Sequence, residues 1–175
     1  MALKLRETVP GDIPAVLAIE SDPEVARWTG SWLAERHRQA ISDPDEAHMV
    51  FCRRQVVIGY LLLSAVRSPE RNVELRRIAL GVRGEGLGAG AIELALGYAF
   101  DVLGARRVRL DVLEDNAPAR HLYERAGFAD DGRAPEPHLL PDGSSVPLRL
   151  MSISEERWHE RAAHSITAEP ETRGG

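Results

Sequence analysis

The stretch Arg83-Gly84-Glu85-Gly86-Leu87-Gly88-Ala89-Gly90 decides how the rest of the chain is read. Its glycines alternate with other residues, between an extended run, Val73 to Leu80, and an apolar helix pattern from about Leu87 to Leu103. Without Cβ atoms the backbone can bend sharply and lay its N–H groups against a ligand. A helix beginning here aims its unpaired first-turn N–H groups and the positive end of its dipole at the same place. The combination predicts an anion site suited to a phosphate or pyrophosphate.

Working outward, strand Val73 to Leu80, glycine loop, helix and a further strand, Arg107 to Val112, make one crossover unit with parallel strands. Downstream, Asn116 before Ala117-Pro118 reads as an N-cap with proline in the first turn. Leu122, Tyr123 and Ala126 line one side of the resulting short helix, and Gly127 stands where a left-handed terminating residue is expected. Phe128 to Asp130 and Val146 to Ile153 read as closing strands, joined by the loop Gly132 to Ser145 with Asp142-Gly143 at a hairpin turn.

Upstream, Leu3 to Thr8 alternates as a half-buried strand, and Asp12 is positioned to cap a helix whose apolar face is Ile13, Val16, Leu17 and Ile19. Asp22 to Ala40 reads as two short helical pieces hinged at Gly30-Ser31. His48 to Arg53 and Val56 to Val66 form a hairpin whose second strand is apolar on both faces and therefore central. After Ser154, a capped turn bearing Trp158 ends the expected domain, residues 1–158. Residues 159–175 are expected to be a disordered tail, since from His164 onward the composition cannot bury a core.

A net charge of -5 with a pI near 5.7 argues against a general nucleic-acid or anionic-membrane surface. The single cysteine, Cys52, excludes an internal disulfide framework and reads as buried filler in a reducing compartment. No apolar leader opens the chain, and its longest apolar run, Val56 to Val66, is too short to span a bilayer, so a cytoplasmic protein is expected. The histidines and the cysteine show no metal-ligand spacing, and no metal is expected.

The glycine loop has two readings. Gly86-x-Gly88-x-x-Ala91 after a strand, with Asp111 about 20 residues on, fits a dinucleotide fingerprint and a nicotinamide-dependent oxidoreductase. That fingerprint normally opens a domain, whereas here helices and strands precede it and only one short helix follows. The other reading is an acyl-CoA loop, in which Arg83-x-x-Gly86-x-Gly88 wraps the pyrophosphate. This pattern resembles the Q/R-x-x-G-x-G/A signature of the GNAT superfamily of N-acetyltransferases. The run Asn116-x-x-Ala119-x-x-Leu122-Tyr123-x-x-x-Gly127-Phe128 resembles that family's following helix and strand. The resemblance covers roughly Val73 to Ile153, and within the superfamily it looks most like the ribosomal-protein N-terminal acetyltransferases of the Rim type.

The resemblance implies an α/β (α+β), three-layer GNAT fold, with a mixed, mostly antiparallel sheet of about seven strands splayed at the cofactor site and helices on both faces. It implies transfer of an acetyl group from acetyl-CoA to a primary amine, either a protein N-terminus or a small molecule, by a monomer or homodimer. The pyrophosphate would lie on the amides of Arg83, Gly84, Glu85, Gly86, Leu87, Gly88 and Ala89. Pantetheine would pair with the strand edge Ile78, Ala79 and Leu80, with Asn116 nearby, and an N–H near Leu80 would meet the thioester oxygen.

The resemblance places Tyr123 as proton donor to the leaving thiolate, a thiol titrating near ~8.5 and a phenol near ~10. The alternative is a ring that only packs under its helix. An amine must be neutral to attack, and Glu74 and Asp111 are the candidate bases. Asp111 lies five residues before Asn116, where Rim-type enzymes carry a glutamate, and its shorter side chain favours a water relay. Glu74 alternatively pairs with Arg76 or Arg106 as a solvated strand residue. Trp28 and Trp32 beside Glu20, Asp22 and Glu24 are candidates to hold a cationic acceptor, or core aromatics of amphipathic helices. A non-catalytic acyl-CoA-binding module is the remaining rival, which Tyr123 argues against.

Overall fold

The computed structural model describes residues 2–84 and 86–167. The chain runs β1 (Lys4–Glu7), a 3-10 turn (Pro10–Asp12), α1 (Ile13–Glu20), α2 (Pro23–Thr29), α3 (Ala34–Ser42), β2 (Glu46–Arg53), β3 (Val56–Ser64) and β4 (Asn72–Leu80). It continues with α4 (Leu87–Gly97), a π-helical turn (Tyr98–Val102), β5 (Arg107–Leu113), α5 (Ala117–Ala126), β6 (Ala129–Arg133), β7 (His138–Leu139), β8 (Ser145–Val146), β9 (Leu148–Ser154) and α6 (Glu155–Thr167). Seven strands form one sheet in the order β1-β2-β3-β4-β5-β9-β6, and β7 and β8 pair as a small separate hairpin. Within the large sheet β4 and β5 are parallel and every other pair is antiparallel. This is the mixed, mostly antiparallel GNAT sheet expected from the sequence, with helices on both faces.

Alternation along the central strands divides the core. Met49, Phe51, Leu61, Leu63, Val73 and Leu75 face α4 and α5, where they meet Ile92, Leu96, Tyr123 and Phe128. Val50, Cys52, Tyr60 and Ala79 face the other way, onto Val16 and Ile19 of α1 and Val25 of α2. The interior strand β3 is buried on both faces, as its continuous apolar run predicts. Cys52 is a buried free thiol in this second layer.

Two helix ends differ from what their sequence predicts. Asp12 does not cap α1 with its side chain; it accepts from the Val9 N–H at 2.9 Å and pairs with Arg6, closing the turn before the helix. At the other end, Ser154 Oγ does accept from the Arg157 N–H at 3.1 Å. The helix it starts runs to Thr167, well past Trp158, so the part of the expected tail between 159 and 167 is helical. The rest of that tail lies outside the described residues.

Beneath α1 and α3 the sheet carries a polar chain of buried groups. Thr8 Oγ1 lies 2.8 Å from His48 Nδ1, and His48 Nε2 lies 2.9 Å from His37 Nδ1. His37 Nε2 comes within 3.0 Å of Glu20 Oε1, off the hydrogen-bonding line. Glu20 accepts from Tyr60 OH at 2.6 Å, Arg77 Nη1 at 2.9 Å and the Trp32 N–H at 3.0 Å. Burial works to raise the Glu20 carboxyl, but the contacts from His37, Tyr60 and the Trp32 N–H outweigh it and hold Glu20 below the usual range. His48 is pushed down to about 4, first by burial and then by the charge of His37.

A Cβ at Gly59 would sit 2.5 Å from the carbonyl oxygen of Ala79 and 2.6 Å from Leu80 Cδ2. Gly59→Ala should therefore destabilise the fold by about 1–3 kcal/mol in urea titration, because backbone must move to admit it. His48 stays neutral in the fold while its unfolded counterpart charges near ~6.5, so the unfolded state binds more protons between about pH 4 and 6.5. Stability should fall as pH drops through that window, by on the order of 2–3 kcal/mol, and His48→Gln should flatten the fall. Equal Tm-against-pH slopes for the two proteins would exclude His48 as its source.

Candidate active site

The parallel pairing of β4 with β5 covers only Asn72 with Arg107, Val73 with Val108 and Glu74 with Arg109. Beyond Glu74 the strands diverge, although β4 continues to Leu80 and β5 to Leu113. On its other side β4 stays paired with β3 up to Leu80, with an irregularity between Leu62 and Leu63 that leaves Arg76 as the extra residue. The Gly81 N–H donates to the Ile58 carbonyl at 2.8 Å. By antiparallel alternation, Ala79 then bonds toward β3, while Ile78 and Leu80 turn their N–H and C=O groups into the split. The splayed edge expected from the sequence is thus present, with the backbone of Ile78 and Leu80, but not of Ala79, turned to the split and unpaired with any described strand there.

The glycine loop closes one end of the split. Gly84 and Gly86 have φ of +79° and +67°, the left-handed region that glycine enters without strain. Gly86 gives α4 no side-chain cap, so among the described residues the first-turn N–H groups of Leu87, Gly88 and Ala89 have no side-chain partner there. Gly88 serves another purpose, since a Cβ there would meet Leu122 Cδ2 at 3.0 Å, and it lets α4 pack onto α5. Arg83 forms a two-oxygen ion pair with Asp22 at 2.8 and 2.9 Å. Glu85 lies outside the described residues. An uncapped helix start behind two left-handed glycines, continuous with a free strand edge, fits the pyrophosphate and pantetheine arm of acetyl-CoA.

Past the split, α5 is built as its sequence predicts. The Asn116 side chain accepts from the Ala119 N–H at 3.3 Å, and Gly127 ends the helix at φ +104°. Tyr123 is 8% exposed, and its ring packs edge-on against Phe128. Burial first, and then the charge of Asp111, pushes the phenol up to about 12.

Glu74 and Asp111, the two expected bases, line one cavity of about 350 Å3 together with Arg109, Asp131, Leu150 and Met151. Glu74 accepts from Ser64 Oγ at 3.4 Å, and Arg76 is drawn instead toward Glu46 at 3.6 Å. The sequence reading missed Asp131. In the β6–β9 register Asp130 opposes Met151 and Gly132 opposes Leu150, which leaves Asp131 as the bulged residue turned into the cavity. The signal available was Asp131-Gly132, an acidic residue before a glycine that here takes φ of +102°.

The alternative acceptor site at the tryptophans is not formed. Glu20 is 1% exposed and saturated by its partners, while Asp22 caps α2 and pairs with Arg83. Guanidinium groups already face the Trp32 ring, those of Arg77 at 4.0 Å and Arg36 at 4.3 Å, and Arg27 lies 4.4 Å over Trp28. A second cation would be repelled there. Among the described residues no cluster suits a metal ion and no helix is long and apolar enough to cross a membrane. With a single parallel pair in the sheet, the dinucleotide-binding alternative lacks the parallel strands it needs.

The chain is 29% identical over 132 residues to a spermidine N(1)-acetyltransferase of Vibrio cholerae serotype O1, covering 74% of this chain and 76% of that protein. A spermidine N(1)-acetyltransferase of Escherichia coli (strain K12) is 28% identical over 142 residues, 75% of each chain. A crystal structure of spermidine N-acetyltransferase from Vibrio cholerae in complex with CoA and spermine matches the fold with a TM-score of 0.79. That match covers 90% of this chain and 98% of the other at 23% identity. The family model described as acetyltransferase (GNAT) matches residues 13–128. That match takes in more than half of the chain, which therefore belongs to the GNAT family of acetyltransferases, transferring an acetyl group from acetyl-CoA to a primary amine.

Proposed function

We propose that the acceptor is a small polycation of the polyamine class, bound in the cavity lined by Glu74, Asp111 and Asp131. The observation that carries this reading is the convergence of three carboxylates, one from β4, one from β5 and one from the β6 bulge, where the two parallel strands part. Arg109, in the same lining, offsets one of the three charges and leaves a net acidic site. An amine with a second ammonium group some carbons away can satisfy two carboxylates at once, which a peptide N-terminus followed by a neutral residue cannot. The polyamine-acting relatives agree with this choice, whereas the Rim-type resemblance of the motifs favours a peptide N-terminus.

The chain's own groups supply the steps. A lysine-like amine near ~10.4 is charged at neutral pH, so Asp111 or Glu74, directly or through a water, takes its proton before attack. The Leu80 N–H donates to the thioester oxygen as negative charge develops there. The new N–C bond forms as the C–S bond breaks, Tyr123 gives its proton to the departing sulfur, and the second proton shed by the acylated nitrogen returns through water to the Tyr123 phenolate. A phenol held near 12 keeps its proton throughout the working pH range. The burial that raises it raises a thiol leaving beside it as well, so the shift is shared by donor and acceptor of the proton. Arg83 to Ala89 hold the pyrophosphate and Asn116 lies beside the pantetheine arm.

The test is thiol release from acetyl-CoA against spermidine, spermine, diamines, amino acids and N-terminal peptides. Polyamines should turn over fastest, and Asp131→Asn or Glu74→Gln should raise the polyamine KM about tenfold while sparing the acetyl-CoA KM. Faster turnover of peptides than of polyamines would instead support the Rim-type acceptor. Tyr123→Phe should lower kcat by about 100-fold or more with acetyl-CoA affinity nearly unchanged. An unaffected kcat would remove Tyr123 from the mechanism, and acetyl-CoA binding without turnover of any amine would favour a non-catalytic module.

A further inference from the structure

We infer that Glu20 and Arg77 are positioning residues that hold the acyl-donor strand open. The inference rests on the reading of the β4 edge as the place where acetyl-CoA binds. Glu74 and Arg77 are three positions apart, and in a regular strand they would face opposite sides of the sheet. The extra residue at Arg76 reverses the parity, so that Glu74 faces the acceptor cavity and Arg77 turns to the same side, beneath α1.

Past that bulge β4 has lost β5, and among the described strands only β3 pairs with it. Arg77 replaces the missing support with side-chain bonds. Its Nη1 donates to Glu20 at 2.9 Å and lies 3.1 Å from Tyr60 OH, its Nη2 donates to the Thr29 carbonyl at 2.8 Å, and its plane lies 4.0 Å over Trp32. Its side chain is 10% exposed and that of Glu20 is 2% exposed. One guanidinium thus joins β4 to α1, to the end of α2, to the segment before α3 and to β3. The next residues along the strand are Ile78, Ala79 and Leu80, whose free groups line the split.

A slip of one residue that removed the bulge would turn Arg77 into the apolar layer against α4. It would also exchange the directions of the Ile78, Ala79 and Leu80 amides relative to β3. The ion pair forbids this slip, because a guanidinium cannot enter the apolar layer and Glu20 cannot be left buried without a cation. A buried ion pair is weak evidence for stability by itself, but at this position it selects one register.

The experiment compares the wild type with Arg77→Met, Arg77→Lys and the double variant Glu20→Gln/Arg77→Met. Acetyl-CoA binding is measured by calorimetry, with KM for each substrate and Tm alongside. Arg77→Met alone should lower Tm and raise the acetyl-CoA Kd at least tenfold. The double variant removes both charges and should recover most of the Tm, while its acetyl-CoA Kd stays at least tenfold high and the amine KM is nearly unmoved. Arg77→Lys keeps the charge but not the fork or the stacked plane, and should raise the Kd severalfold at nearly constant Tm. Recovery of wild-type acetyl-CoA affinity together with Tm in the double variant would show a merely structural pair and overturn the inference. If the double variant does not fold, an unchanged Kd in Arg77→Lys overturns it equally. A wild type that does not bind acetyl-CoA would overturn the donor-site reading itself, a result distinct from either.

Discussion

The rest of the structure depends on a hydrogen-bonded ladder that stops early. β4 and β5 are parallel neighbours for three residue pairs and then part, so one strand in the middle of a sheet has an open edge. Unpaired backbone groups inside a protein are costly, and a sheet opened at its centre needs a partner to enter or scaffolding to stay apart. Both are provided for. The glycine loop and the start of α4 follow the end of the open strand, α5 carries Tyr123 buried against Phe128, and three carboxylates line one cavity with residues of both strands.

Most of this architecture could be read from residue patterns. The continuous apolar run Val56 to Val66 announces a strand buried on both faces, and β3 lies inside the sheet between β2 and β4. Asn116, Pro118 and Gly127 bracket a helix by cap, first-turn proline and left-handed stop, and α5 has those bounds. Capping and turn chemistry are local, so they survive transfer from sequence to structure. Asp12 shows the limit, because its carboxylate had a choice between the helix ahead of it and Arg6 behind it, and a cation six residues upstream won.

The candidate site was legible in part for the same reason. Glu74, Asp111, Tyr123 and the glycine loop are placed by strands and helices whose ends were readable. Asp131 was not, because a bulge is a property of two paired strands and no single strand reveals it. The tryptophan and carboxylate cluster near the N-terminus suggested an open cation site, yet Arg77 and Arg83, more than 50 residues away in sequence, neutralise it. Spacing along a chain cannot report which distant cation will arrive.

The buried carboxylate of Glu20 also bears on the order in which the chain can fold. Its cation comes from 57 residues further along, and its other partners include Tyr60 on β3. Until the β3–β4 hairpin exists, docking α1 against the sheet would strip water from a lone negative charge. The first helix must therefore wait for strands made later in the sequence, even though contacts close in sequence form fastest. In a chain emerging from its N-terminus, α1 is the earliest helix to appear and among the last to find its place.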